Sequence, residues 1–349
     1  MESHRQPLVS VVTPVYNGEP YLAECIESVL AQTYSNWEYS IVNNCSTDRT
    51  LEIAEKYAKL DPRIHVYTNE QFLDIIGNAN NAFRLISPQS KYCKSLSADD
   101  WLYPECLERM VALAEAHPSV GIVGAYQLSG GGNKWYVRTD GLSYYTEVMT
   151  GRDICRLHFM SDITVFGNPT SNLYRSDLVR RTDSFFPNLS AEADVSACFA
   201  SLRDADFGFV HQVLSHERVH GEQITATSRA FNAYLGSRLN DLTTYGPYYL
   251  TADELATCKE ALLAEYYRFL AISAVNFPGA KFWQYHRKRL EDLGYPLSSV
   301  RLARVICLKL ADLVFNPKQT VEKMCRRSNF GTKKSGPGAQ AGLQAKQSA

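Results

Sequence analysis

Short runs of β-branched and aromatic residues alternate with amphipathic helical stretches over the first 126 residues, and that rhythm constrains the fold more than any other feature. Leu8 to Thr13 reads as a buried strand stopping at Pro14, and Leu22, Cys25, Ile26, Val29 and Leu30 then fall at helical spacing behind Pro20. Trp37 to Val42, Ile64 to Tyr67, Tyr92 to Leu96 and Val120 to Tyr126 read as further strands. Helices are expected between them over Leu51 to Ala58, Asn78 to Leu85 and Pro104 to His117. Such alternation implies βαβ units, an α/β fold and a largely parallel sheet. Ligands of such sheets bind beyond the carboxyl ends of the strands, which directs attention to the loops starting near Thr13, Asn43 and Ser97.

The rhythm breaks at about Leu128, where Ser129-Gly130-Gly131-Gly132-Asn133 reads as a flexible turn. Segment 134–230 mixes short strands and helices, 231–330 is expected to be a helical extension, and 331–349 has the composition of a disordered tail. The catalytic domain is therefore expected over 6–230. With 36 basic and 37 acidic residues the chain has no global excess of positive charge, which argues against a nucleic-acid partner. Nine scattered cysteines without a Cys-x-x-Cys pair suggest reduced thiols. No apolar run reaches the roughly 20 residues of a membrane span and the first residues carry no apolar signal core, so a cytoplasmic location is expected.

Two local features carry chemistry. Ser97-Ala98-Asp99-Asp100-Trp101 puts adjacent carboxylates at a strand end, suited to a hard divalent cation that also meets phosphate oxygens. One of them can equally cap the following helix. Asn43, Asn44, Cys45, Ser46, Thr47 and Asp48 offer amides toward a base and a helix start toward an anion, though the same string is ordinary turn chemistry.

Four blocks in order, Val11-Val12-Thr13-Pro14-Val15-Tyr16-Asn17, Leu22 to Tyr34, Val42 to Asp48 and Ala98-Asp99-Asp100, resemble the family 2 glycosyltransferases with their GT-A fold. The resemblance implies that Thr13, Pro14, Val15, Tyr16 and Asn17, with Asn43, Asn44, Ser46 and Asp48, hold the base and ribose of a nucleoside-diphosphate sugar. Asn78 is grouped with them. It also implies that Asp99 and Asp100 ligand a divalent metal, Mn or Mg, with Asp99 near the diphosphate. Asn43-Asn44 stands where the family usually has an Asp pair, and Ser97 where it has a further Asp.

In Ser190-Ala191-Glu192-Ala193-Asp194, Ala193 replaces the Glu of the family's Glu-Asp pair, so the role of catalytic base in an inverting transfer falls to Asp194. A helix-capping carboxylate is the competing reading. His216-x-Arg218-x-His220-Gly221 resembles the family's basic segment, which makes Arg218 and His220 candidates for the leaving diphosphate. Asn168 to Ser171 and Tyr174-Arg175 resemble the segment lining the acceptor side. The acceptor is expected to be a carbohydrate or lipid-linked hydroxyl. Cationic, amphipathic 300–327 either packs on its own domain or touches the inner face of a membrane. A nucleotidyltransferase and a non-catalytic nucleotide-sugar-binding module are the rival readings. The first would carry a glycine-rich, lysine-bearing loop after its first strand, where this chain has Thr13 to Gly18.

Overall fold

The computed structural model describes residues 6–131, 134–139, 142–161, 163–187, 192–219, 232–275 and 278–315. Strands β1 (Val9–Val15), β2 (Trp37–Asn43), β3 (Ile64–Thr68) and β4 (Tyr92–Ser95) alternate with helices α1 (Leu22–Leu30), α2 (Thr50–Leu60) and α3 (Ile75–Arg84). The two-residue strand β5 (Trp101–Leu102) leads into α4 (Cys106–Ala116), followed by β6 (Val120–Gly131), β7 (Lys134–Arg138) and β8 (Val148–Met149). Helix α5 (Gly151–Met160), β9 (Asn172–Arg175), α6 (Ser176–Val179), α7 (Ala193–Ser201) and β10 (Asp206–Arg218) complete the sheet region.

The ten strands form one sheet in the order β3-β2-β1-β4-β9-β6-β10-β5, with β7 paired to β6 and β8 to β10. Pairing is parallel through β3, β2, β1 and β4 and again between β6 and β10, while β9, β5, β7 and β8 run antiparallel to their neighbours. Alternate residues feed two cores, because strand side chains alternate between faces. Val11, Ile41 and Val123 pack with Leu22, Ile26, Leu107 and Met110, whereas Val12, Val42 and Ile122 pack with Phe83, Ile154, Cys198 and Phe199. Helices thus cover both faces, as an α/β sheet buried on both sides requires.

One expectation is corrected. Ser129, Gly130 and Gly131 belong to β6, paired with β7 on one side and β10 on the other. Their glycines permit close approach and do not make a turn: a Cβ on Gly130 would lie 2.4 Å from the Lys134 carbonyl oxygen, and one on Gly131 2.1 Å from that of Val219. Gly132 and Asn133 lie outside the described residues.

The chain divides into two compact units, 1–262 and 263–349. Helices α8 (Ala233–Thr244) and α9 (Gly246–Tyr249) fall in the first, and α10 (Ala252–Val275) crosses the boundary. The second unit contains α11 (Ala280–Asp292) and α12 (Ser299–Phe315), with Tyr266 hydrogen-bonded to His286 Nδ1 at 2.8 Å inside it. Among the described residues no helix is long and apolar enough to cross a membrane. Residues 316–349, with the cationic stretch beyond Phe315 and the expected tail, lie outside the described residues.

Candidate functional site

The carboxyl ends of β1, β2 and β3 carry the motif loops, and those loops are bonded mainly to one another. Asn17 turns the chain with φ 50°, a left-handed value that Asn tolerates. Its amide donates to Ser46 Oγ at 3.0 Å and its Oδ1 accepts from the Thr47 amide at 2.8 Å. Asp48 Oδ2 accepts from the Glu19 amide at 3.1 Å, and its Oδ1 from the Thr50 amide at 3.0 Å. Burial works against the charge of Asp48, but the Thr50 hydroxyl and amide outweigh it and hold the carboxyl below the usual carboxylate range. Thr13 is buried, donating to the Leu96 carbonyl at 2.8 Å and paired with the Tyr39 hydroxyl at the same distance.

Asn43 and Asn44 are buried, and their amides serve the loops. Asn43 Oδ1 accepts from the Ser46 amide at 3.1 Å. Asn44 donates to the Leu73 carbonyl at 2.8 Å and accepts from the Leu73 amide at 2.9 Å, as a peptide group would. Asn69 donates to Asn44 at 2.8 Å and to Asn78 at 2.9 Å and accepts from Asn81 at 2.7 Å, so Asn78 belongs to one carboxamide network with Asn44. A carboxylate at 44 could not donate to Leu73. At position 44, therefore, the network needs an amide where the family usually has an acid. The same loop presents Phe72, which the sequence reading did not single out: its ring meets Tyr16 edge-on at 4.9 Å, both rings being about half exposed.

Asp99 and Asp100 follow β4, with Asp100 buried and Asp99 half-buried. Asp100 Oδ2 accepts from Thr170 Oγ1 at 2.8 Å and Oδ1 from the Arg218 amide at 3.0 Å. Arg218 also donates its Nε to the Asp99 carbonyl at 3.0 Å, pairs with Glu24, and lies 4.9 Å from the centre of the Trp101 ring. Two segments 118 residues apart thus meet at the acid pair. Burial, then the neighbouring Asp99 charge, pushes the Asp100 carboxyl well above its usual range.

Beneath the pair, Asn168-Pro169-Thr170-Ser171 forms a capped 3-10 turn. Fully buried Lys94 donates to the carbonyls of Thr170 at 2.6 Å and Asn172 at 3.1 Å, holding that turn, and burial lowers its pKa. Ser97, in place of a further acid, donates its amide to Thr170 Oγ1 at 3.1 Å. Tyr174, expected to line the acceptor side, is instead fully buried in the core that holds Phe83 and Phe199, and Arg175 pairs with Asp177 at 2.6 Å. The sheet register accounts for this, because β9 joins β4 to β6 in the interior of the sheet.

Among the described residues no group of three or more His, Cys, Asp and Glu side chains could hold a metal alone. Two adjacent carboxylates nonetheless form a hard-oxygen donor set suited to Mg or Mn, which is commonly held by one or two carboxylates together with substrate phosphates and water. Each Asp100 oxygen accepts one hydrogen bond from Thr170 or Arg218 and keeps acceptor capacity beyond it. The pair fits a cation whose coordination substrate oxygens complete.

Asp194 lies in the first turn of α7, two residues past the N-cap Glu192, and its own amide and that of Val195 favour its charged form. Burial raises its pKa, with Arg138 opposing and Glu217 adding to the rise. Glu217 adds likewise to the rise at Asp100. Beside Asp194, burial and then the Asp194 charge push Glu192 up to about 7. His216 stacks on Trp101 at 3.6 Å and 9°, touches Trp135 at 4.8 Å, and is held neutral by burial and by Arg218, with its pKa lowered to about 4. His220 lies outside the described residues.

The sequence profile described as glycosyl transferase family 2 matches residues 10–181. An uncharacterised glycosyltransferase of Rickettsia typhi is 30% identical over 226 residues, covering 64% of this chain and 67% of that one. S. aureus TarS 1–349, solved in complex with UDP-GlcNAc, matches with a TM-score of 0.62 at 18% identity over 92% of each chain. The mannosyltransferase PcManGT from Pyrobaculum calidifontis, solved with GDP-Man and Mn2+, matches with a TM-score of 0.54 at 16% identity, over 92% of this chain and 84% of that one. Three other curated relatives are matched over 24%, 36% and 41% of their lengths, so the chain spans less than half of each. With its four motif blocks on an α/β sheet shared along nearly its whole length with known transferases, the chain belongs to glycosyltransferase family 2 and has the GT-A fold.

Proposed function

We propose that this protein transfers a sugar from a nucleoside-diphosphate sugar to a hydroxyl of a carbohydrate or lipid-linked acceptor, with inversion at the anomeric carbon. The observation that carries this reading is Arg218, whose amide and guanidinium bind both members of the acid pair at the carboxyl end of β4. A guanidinium and two carboxylates side by side suit a diphosphate, whose charge needs both a cation and fixed donors. Donors bound to the similar folds, UDP-GlcNAc in TarS and GDP-Man in PcManGT, support the substrate class.

In this reading the Thr13 to Asn17 loop, with Tyr16 and Phe72, walls the base, and Asn43, Asn44, Ser46, Asp48 and Asn78 fix the shape of that wall through their own hydrogen bonds. Asp99 and Asp100 would hold a divalent cation, Mn or Mg, which when bound would offset the charge of the diphosphate. Arg218 steadies the leaving group from the protein side. Asp194 takes the proton of the attacking hydroxyl, and its raised pKa suits a base nearer to the working pH than an exposed carboxylate. In α12, exposed Val300, Leu308 and Leu310 stand among Arg301, Arg304 and Lys309, which supports peripheral contact with an anionic membrane face.

The test is thermal unfolding of the full chain with a panel of nucleotide sugars, with and without Mn, followed by transfer assays on the donor that stabilises it. A ligand of the folded state raises the melting temperature. No stabilisation by any donor would falsify the reading, and stabilisation without transfer would favour a non-catalytic binding module.

A further inference from the structure

The carboxyl end of β10 bears an ion pair that the proposed chemistry does not use. Arg138 of β7 donates to Glu217 Oε1 at 2.6 Å, and Ser129 of β6 donates to Glu217 Oε2 at 2.6 Å. These bonds place Ser129, Arg138 and Glu217 on one face of the sheet. Tyr136 stands opposite Ser129 and two residues before Arg138, so it belongs to the same face, while Trp135 and Val137 belong to the other.

Strand β7 pairs only with β6 among the described strands, and Tyr136 is 55% exposed although it sits within a regular ladder. Its ring is spent on no core. Glu217 directly precedes Arg218, whose amide donates to Asp100 Oδ1 at 3.0 Å, so the ion pair sits one residue along β10 from the acid pair. In sheet order β6, β10 and β7 lie beyond β4 from the motif loops of β1 to β3, so these strand ends lie on the side of the acid pair away from those loops.

A pyranose has an apolar face of C–H groups and a rim of hydroxyls. It is recognised by an aromatic face together with fixed planar donors and acceptors. We propose that Tyr136, Arg138 and Glu217 form the acceptor subsite of this transferase, with the Tyr136 ring against a pyranose ring and the Arg138–Glu217 pair bonded to its hydroxyls. The inference rests on the transferase reading and deepens it: the acceptor presents a sugar ring, not a bare alcohol, on the β10 side of the acid pair. Arg138 and Glu217 act here as binding and positioning groups.

The test uses the full chain and a panel of p-nitrophenyl glycosides of glucose, galactose, mannose and N-acetylglucosamine in both anomers, with binding followed by saturation-transfer NMR. At least one glycoside binds the wild type, and Tyr136→Ala weakens it by about tenfold, the upper range of an aromatic stacking contribution. Tyr136→Phe, which keeps the ring, binds as the wild type does. Trp135→Ala, equally exposed on the same strand but on the opposite face, also leaves binding unchanged. The proposal is overturned if no glycoside binds the wild type, if Trp135→Ala loses as much as Tyr136→Ala, or if Tyr136→Phe is as weak as Tyr136→Ala. Nucleotide-sugar stabilisation measured on the same proteins separates the two readings. Stabilisation retained in a chain that binds no glycoside removes the subsite alone, whereas glycoside binding without any donor response removes the transferase.

Discussion

The two flanks of the acid pair are built on opposite plans. On the flank of β1, β2 and β3 almost every polar motif residue is tied to a neighbouring loop, as Asn17 is to Ser46 and Thr47 and Asn44 to Leu73 and Asn69. On the flank of β6, β7 and β10 the side chains stand more open, with Tyr136 and Trp135 half exposed beside the Arg138–Glu217 ion pair. A pocket that must fit the invariant part of its substrates is best made rigid, since preorganisation lowers the cost of binding. The variable partner needs a surface that can be rebuilt residue by residue without disturbing the sheet.

The comparison can be broken most decisively at its centre. Asp194→Asn, with folding verified by circular dichroism, should lower transfer by about 10²- to 10⁴-fold, the usual contribution of a general base. Turnover near the wild-type level would remove Asp194 from that role and leave it as a carboxylate in the first turn of α7. The neighbouring Glu192 supplies a pH test. Its folded pKa, pushed up to about 7 from the ordinary 4.5, means that the folded state holds this proton more tightly than the unfolded chain. Stability from this source is therefore complete below about 4.5 and is lost as pH rises through 7, on the order of 3 kcal/mol in all. Denaturant titrations across that window should show the decline, and Glu192→Gln should flatten it.

The rigid flank is tested at Asn44. Asn44→Asp installs an acid there but removes the donor to the Leu73 carbonyl, and should cost about 1–3 kcal/mol, read as a lowered melting temperature. An unchanged melting temperature would mean that the amide network does not hold the loop. The smallest effect is expected at Phe72, whose ring meets Tyr16 at the surface. Phe72→Ala should weaken nucleotide-sugar binding by about 0.5–1.5 kcal/mol in calorimetry and leave glycoside binding at Tyr136 untouched.

Much of the rigid flank was legible in the sequence, because it is written in local signals. The short β-branched or aromatic runs at Val9, Trp37 and Ile64, each followed by helical spacing, specify strand and helix without reference to distant residues. Asp99-Asp100 and Arg218 were also nameable, although only the fold brings them within 3.0 Å. What escaped the sequence is what depends on contact. Gly130 and Gly131 carry the signal of a turn, yet their lack of a side chain serves the approach of Lys134 and Val219 within a strand. Thr170 gives no hint of bonding Asp100 across 70 residues. Phe72 reads as an ordinary apolar residue before a helix, and its pairing with Tyr16 follows from β3 lying beside β2 and β2 beside β1.

Lys94 has a consequence for how the protein responds to its medium. Its partners are two main-chain carbonyls and the Met110 sulfur, with no carboxylate among them. A neutral amine, with two N–H groups, can still donate to both carbonyls, and the site is sealed from ions. The turn that carries Thr170, and with it the placement of Asp100, is therefore indifferent to ionic strength, while the Arg218–Glu24 contact at the surface weakens as salt is added. In brine the surface around the acid pair should therefore loosen before the pair itself moves.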